Sequence, residues 1–317
     1  MSALPPSTLL DHAQQAITRG SSSFASAARL FDSDTRQSVV MLYAWCRHCD
    51  DVVDGQQDGH GQVAQDPALG ARRIEALADQ TRRALRGQPT DVAPFAALAE
   101  VVRRHRIPER FPLEHLSGFR MDVEARRYHT LEDTLDYCYR VAGVVGVMMA
   151  MVMGRRDDVT LDRAADLGLA FQLTNIARDV IDDHAAGRLY LPAQWLAQEG
   201  VDPAEVAEPR HRERVARVAQ RLVEAAEPYY SSARLGIAAL PMRSAWAVAT
   251  ARGVYREIGL QVKARGGAAW DQRISTGKRR KLQHLLTGGL MAAISRTGVS
   301  QPPPMALRER LWTRPRA

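Results

Sequence analysis

The residues most able to do chemistry are aspartates, and they come in two matching groups. YAWCRHCDDVVDG, Tyr43 to Gly55, carries Asp50, Asp51 and Asp54; FQLTNIARDVIDDHAAG, Phe171 to Gly187, carries Asp179, Asp182 and Asp183. Each group follows an apolar run and precedes a glycine. Residues four apart share a helix face, so Asp50 and Asp54 point one way, as do Asp179 and Asp183. Helical steps extend the stripe backward through Arg47 and Tyr43 in the first segment, and through Asn175 and Gln172 in the second. Each is a polar line along an otherwise apolar helix.

Such lines cost free energy. Like charges at this spacing repel by about 0.2–0.5 kcal/mol on an exposed helix. A helix C-terminus disfavours an anion by about 0.3–1 kcal/mol more. A divalent cation reverses the sign. Mg²⁺ takes oxygen ligands, typically one or two carboxylates together with waters and phosphate oxygens. Two facing helices of this kind would hold Mg²⁺ against a diphosphate, with Arg47, Arg178 and Arg188 offsetting the remaining charge. The plain alternative is a solvated acidic face. Two copies, each extended by polar residues inside an apolar helix, favour the metal site. Its expected ligands are Asp50, Asp54, Asn175, Asp179 and Asp183, with Mn²⁺ as the alternative ion.

The elements that must position these groups are helices. Three-to-four spacing recurs over Leu69–Leu85, Val92–His105, Thr160–Asp183, Ala204–Ala226 and Arg243–Val262. Gly20, Pro89, Pro108, Pro112, Pro192, Pro228 and Pro241 punctuate them. No run of alternating strands appears. The pattern predicts one all-α domain over residues 1–297, a bundle of roughly ten helices. Residues 298–317 read as a Pro/Arg-rich, poorly ordered tail. Gly55–Gly70 is a polar, glycine-rich loop after the first acid group. Val141–Gly154 is apolar but has only 14 residues, where a membrane span needs about 20, so a core helix is expected.

Composition is ordinary for a globular chain: 317 residues, 45% hydrophobic, 25% charged, net charge +7. The basic excess suits an anionic ligand, a membrane surface or nucleic acid. KRRK, Lys278–Lys281, lacks interleaved aromatics, so it reads as a solvated or membrane-facing patch and no nucleic-acid partner is expected. Walker A, HExxH and dinucleotide fingerprints are missing. Cys46, Cys49 and Cys138 read as buried structural thiols in a reducing cytosol. The N-terminal MSALPPSTLLDH has no signal-peptide pattern.

Several blocks together carry a resemblance: SSSF (Ser21–Phe24), YAWCRHCDDVVD, RMDVEARRY (Arg120–Tyr128), YCYRVAGVVG (Tyr137–Gly146), FQLTNIARDVIDD and GRLYLP (Gly187–Pro192). In this order they resemble the squalene and phytoene synthase family, most of all its bacterial phytoene-forming members. One departure is Asp182, where the family commonly has glutamate. The resemblance implies an isoprenoid synthase fold, a helical bundle around a central apolar cavity. It implies head-to-head joining of two prenyl diphosphates through a cyclopropylcarbinyl diphosphate. The implied substrate is geranylgeranyl diphosphate and the product phytoene, in carotenoid biosynthesis. Farnesyl diphosphate with a squalene or dehydrosqualene product is the alternative, and a non-catalytic helical relative a further one.

By position, the family's Mg²⁺-binding residues fall on Asp50 and Asp54, and on Asn175, Asp179 and Asp183. Gln172, Arg47, Arg178, Tyr255 and Arg273 fall on or beside diphosphate-contacting positions. Ser21 and Phe24 fall on a flap, and Tyr137 on the cavity wall, where it is one candidate for accepting the final proton. Proton loss implies no need for NADPH. An oily product implies a cytoplasmic protein touching the inner membrane peripherally, alongside other carotenoid-pathway enzymes. From Arg273 onward ten Lys/Arg face a single acid, Glu309, which suits such contact.

Overall fold

Apolar stripes at helical spacing become helices along nearly the whole chain. The computed structural model describes residues 6–20, 22–55, 67–297 and 308–316. The first half holds α1 (Pro6–Gly20), α2 (Ser22–Ala28), α3 (Ser33–Asp54), α4 (Pro67–Leu85), α5 (Ala93–His105), α6 (Arg110–Val123), α7 (Leu131–Cys138) and α8 (Val144–Val152). The second holds α9 (Asp158–Ala185), α10 (Ala193–Gln198), α11 (Arg212–Gly236), α12 (Met242–Arg265) and α13 (Lys278–Ile294). No strand occurs among the described residues. Short α2 and α10, and the division of one long helix into α7 and α8, raise the count above the expected ten or so.

The 28-residue α9 is the axis of the bundle, packed by α8, α11 and α12. The other acid helix, α3, packs on α1, α4, α5, α6 and α8. Both have firm ends. Asp32 accepts from the Thr35 N–H at 2.9 Å to cap α3, and Asp157 accepts from Thr160 N–H at 2.9 Å to cap α9. Gly55 (φ 63°) and Gly187 (φ 78°) close the other ends in the left-handed region, which suits glycine. After α9, the Arg188 N–H returns to the Asp183 carbonyl at 2.8 Å, turning the chain back toward the acid group.

Two expectations from local sequence need correcting. Pro228 reads as a helix break, yet α11 runs through it. The helix is held by tertiary packing, with Leu222, Val223, Ala226, Tyr229 and Tyr230 all buried around that point. The apolar run Val141–Gly154 is part of a longer helix, Leu131–Val152, 22 residues in length. A π turn at Tyr139–Gly143 joins α7 to α8 within it. Length and composition alone would let this helix cross a membrane, but 61% of its apolar window is buried in the protein. It is packed as a core helix.

Glycines explain how α8 approaches α9 so closely. A Cβ on Gly146 would lie 2.3 Å from the Ala164 carbonyl oxygen, and one on Gly168 would lie 2.4 Å from that of Ala142. Gly143 and Gly146 therefore make room for a neighbouring helix.

The tail also differs from expectation where it is described. Arg314 is 2% exposed, with Nε 2.7 Å from Asp162, and Arg308 Nε lies 3.1 Å from Asp166. Trp312 N–H donates to the Tyr229 hydroxyl at 3.2 Å. Residues 308–316 are thus clasped to α9 and α11 by charge, which a composition-based reading misses. Residues 298–307 lie outside the described residues, as does most of the Gly55–Gly70 loop.

Gly168→Ala tests the close packing. The added methyl meets backbone, so we expect a loss of about 1–3 kcal/mol in urea unfolding. Gly277→Ala, whose methyl would meet nothing within 4 Å, should change stability by less than about 0.5 kcal/mol.

Candidate active site

A cavity of about 1040 Å³ runs between α3, α8, α9 and α12. That is the upper end of the range for ligand pockets. Most of its wall is apolar, including Phe119, Val145, Met149, Leu167, Phe171 and Val248. Its polar wall gathers the expected residues: Arg47, Asp50 and Asp54 from α3, Gln172, Asn175, Arg178, Asp179 and Asp183 from α9. Two helices far apart in sequence thus present their aspartate pairs to one space. The middle acids do not join them. Asp51 and Asp182 are absent from the lining, and Asp182 is exposed on the outer side of α9. The departure from the family's usual glutamate therefore falls outside the site.

Arginines sit against the carboxylates. Arg47 Nη1 donates to Asp50 at 2.5 Å along α3. Arg178 Nε donates to Asp179 at 2.8 Å, and its Nη2 makes a second bond to the same carboxylate. Arg188 Nη1 reaches Asp54 at 3.2 Å, with Nη2 again on the second oxygen. This last pair crosses from the turn after α9 to the end of α3, so it ties the two acid helices together. Asp183 lacks such a partner and lies among like charges from Asp179, Asp122 and Asp182, with Arg188 nearby.

Burial sets the protonation of this group. Loss of hydration pushes Asp50 up to about 6, opposed by Arg47 and reinforced by Asp54 and Asp51. Its side chain is 37% exposed, but to the cavity, where surrounding protein still removes most of its hydration. Asp183 is pushed well above the usual carboxylate range, first by burial and then by Asp179. Burial opposes the charge on Arg188, yet its carboxylate and tyrosine neighbours hold the guanidinium firmly protonated.

The donor set fits a hard divalent cation. Carboxylates raised by burial and mutual repulsion gain most from added positive charge. Asn175 points a buried Oδ1 with no hydrogen-bond partner from the same stripe, while its Nδ2 lies 3.4 Å from Gln172 Oε1. Among the described residues no three acidic, His or Cys groups form a ready-made metal cage. Mg²⁺ does not require one, since it completes its shell with water and phosphate oxygens.

The remaining expected residues also reach the cavity, with one exception. Phe24 lines it and stacks on Tyr43 at 5.3 Å. Tyr255 lines it and stacks on Phe171 at 4.2 Å. Tyr137 lines it with its hydroxyl directed to Asp122 at 3.1 Å. Arg273 is an exposed part of the lining. Ser21 lies outside the described residues.

Three lining residues escape sequence reasoning. Asp122, at the end of α6, accepts from the hydroxyls of Tyr137 and of Tyr190 (2.8 Å), and burial pushes it up to about 7. Tyr190 stacks on Tyr137 at 4.5 Å. Lys281 lines the cavity although its KRRK neighbours are exposed. The available signal for Asp122 is a carboxylate set between Met121 and Val123 in the RMDVEARRY block. For Tyr190 there is only its place two residues after Arg188.

Facing aspartate pairs at the polar end of an apolar cavity in a helical bundle define a class of enzymes that work on prenyl diphosphates with divalent metal. A family model described as squalene/phytoene synthase matches residues 17–281, and the chain belongs to that family. It is 53% identical over 311 residues to a phytoene synthase of Pseudescherichia vulneris, covering 98% of this chain and 99% of the other. It is 53% identical over 310 residues to a 15-cis-phytoene synthase of Pantoea ananas, covering 97% and 98%. Among solved structures, a dehydrosqualene synthase with bound ligand superposes with a TM-score of 0.81 at 26% identity, covering 91% of this chain and 98% of the other.

Metal-free stability should report the crowding of carboxylates. Asp50, Asp122 and Asp183 all bind protons more readily folded than unfolded. Their contribution is therefore full below the pH where unfolded aspartate ionises, and is lost as pH rises through the folded values. In EDTA, urea midpoints should fall between pH 4 and pH 7, across the interval set by the ordinary aspartate value of 3.8 and the raised values of about 6 and about 7. Asp183→Asn should raise the midpoint at pH 8 and flatten this dependence.

Proposed function

We propose that this chain joins two molecules of geranylgeranyl diphosphate head to head, giving phytoene and two diphosphates for carotenoid biosynthesis. One observation carries the reading. Two aspartate pairs, one from α3 and one from α9, line the polar end of a single apolar cavity, in a chain 53% identical over nearly its whole length to phytoene synthases.

Asp50 and Asp54 on one side, and Asn175, Asp179 and Asp183 on the other, would hold Mg²⁺, with Mn²⁺ as a substitute. Bound there, the metal supplies a Lewis acid that neutralises a diphosphate as it leaves its allylic carbon. The chain's own residues do the rest. Arg47, Arg178 and Arg188 are already half-buried beside the carboxylates and can share their N–H donors with diphosphate oxygens. Gln172, Tyr255 and Arg273 complete the polar wall, with Phe24 beside it. Phe171, Val145, Met149 and Leu167 keep water from the allylic cation until the second chain's alkene attacks it. The resulting cation sheds a proton to close a cyclopropylcarbinyl diphosphate, which loses its own diphosphate at the same polar end, rearranges and sheds a second proton to give the central double bond. No reductant is drawn in.

The C40 product rests on the 53% identity to enzymes of that name. The similarity to a dehydrosqualene synthase, at 26% identity, supports a C30 alternative less strongly. The oily product supports peripheral membrane contact, and the reading extends to a cytoplasmic protein at the inner membrane.

Incubation with Mg²⁺ and either geranylgeranyl or farnesyl diphosphate, followed by product mass, separates these readings. We expect one C40 hydrocarbon and two equivalents of diphosphate from the first substrate. Turnover should vanish in EDTA. Asp50→Ala and Asp179→Ala should each lower kcat by roughly 10²–10³-fold while circular dichroism stays helical. A variant of either kind that turns over at the wild-type rate ends the metal–diphosphate assignment.

A further inference from the structure

The last helix, α13, carries a face that does not belong in water. Leu282, Leu286, Leu290 and Ile294 recur at every fourth position and are 58, 66, 62 and 42% exposed. They form a ridge about 18 Å long at 1.5 Å per residue. No Lys, Arg, Asp or Glu stands between Leu282 and Ser295. The opposite face is locked to α12. A Cβ on Gly288 would lie 2.5 Å from Thr250 Oγ1, and one on Gly289 would lie 3.2 Å from the Trp246 ring. Trp246 Nε1 also donates to the Leu285 carbonyl at 2.7 Å. The ridge cannot turn inward to hide.

Two further observations say what should cover it. The helix begins with Lys278, Arg279 and Arg280, all exposed, so positive charge stands at one end of the apolar ridge. That pairing suits an anionic lipid surface, where headgroups meet the cations and acyl chains meet the leucines. In addition, Leu282 belongs to the cavity lining while more than half exposed, and Lys281 and Leu285 line the cavity beside it. The cavity therefore reaches the surface at the first turns of α13, next to the ridge.

We propose that the Leu282–Ile294 face of α13 docks on an anionic bilayer and sets the cavity mouth at the membrane. The docking surface stands on α13 alone; its use, moving long apolar chains between bilayer and cavity, rests on the function proposed above. The buried helix Leu131–Val152 takes no part.

Flotation with vesicles of phosphatidylcholine, with and without phosphatidylglycerol, tests this. Wild-type protein should float with the anionic vesicles and much less with the neutral ones. Leu286→Ser combined with Leu290→Ser should weaken binding at least ten-fold. Lys278→Gln and Arg279→Gln should each weaken it about five-fold, and added salt should mimic them. None of these four residues lines the cavity, so turnover of detergent-dispersed substrate and the melting temperature should stay at wild-type values. Wild-type protein that ignores anionic vesicles, or a leucine double variant that binds as well as wild type, overturns the proposal. So does a wild-type dimer that the double variant dissociates, since the ridge would then be a self-interface. Retained turnover alongside any of these results leaves the proposed reaction standing while the docking surface falls.

Discussion

The molecule is organised around carboxylates that repel one another where little water can screen them. Asp50, Asp54, Asp122, Asp179 and Asp183 all line one cavity, and burial raises three of them toward neutrality. A fold does not gather such groups for its own stability, because each raised value measures a cost of keeping the charge inside. Arg188 is the member that makes the arrangement tolerable. It pairs with Asp54 across the two acid helices and is also within electrostatic reach of Asp50, Asp122 and Asp183. Extra positive charge would still improve the balance, which is what supports the proposed cation and the anion it would carry.

The same helix supplies a control. Near its start, α9 has another ladder at four-residue spacing, Asp158, Asp162 and Asp166. Here the cations come from the chain itself. Arg314 bonds to Asp158 and Asp162, Arg308 to Asp162 and Asp166, and Arg316 to Asp162. Asp162 and Asp166 are buried, and the arginines answer them with several bonds each. A ladder of aspartates is thus not by itself the mark of a metal site. What separates the two is their setting: the first ladder is closed by a tail of the protein, while Asp179 and Asp183 open onto a cavity and share it with a second pair from another helix.

This contrast explains what was legible in the sequence. Helical periodicity and the four-residue spacing of Asp50/Asp54 and Asp179/Asp183 are local properties, so the fold class and the core of the site could be read directly. The outer position of Asp182 could be read too, since it lies one residue off the stripe. The Asp158 ladder has the same local spacing but a different fate, decided by arginines some 150 residues away in sequence. Asp122 and Tyr190 acquire their roles only when α6, α7 and the turn after α9 meet. Pro228 inside α11 and the packed residues 308–316 are likewise tertiary outcomes that override local preference. Burial and long-range pairing have no signature at the level of spacing, whereas Gly143 and Gly146 could be read as room for a bulky chain or a close helix, and the close helix is what they serve.

The segment GRLYLP shows how a short stretch converts the end of α9 into part of the site. Gly187 takes a left-handed conformation, which lets the chain leave the helix and turn back. Arg188 and Tyr190 both enter the cavity, one toward Asp54 and the other toward Asp122. The Tyr190 carbonyl accepts from Thr134 Oγ1 at 2.9 Å, and the Ala193 N–H donates to the Tyr128 carbonyl at 2.9 Å. These bonds fasten the segment to α7 and to the residues before it. Because Arg188 hangs from the same turn whose N–H closes α9 on Asp183, its distance from that carboxylate is set by backbone geometry. Its pairing with Asp54 then bridges the acid ends of α3 and α9, which packing on α8 already brings together. One arginine, presented by the turn at Gly187, thus links the two aspartate pairs.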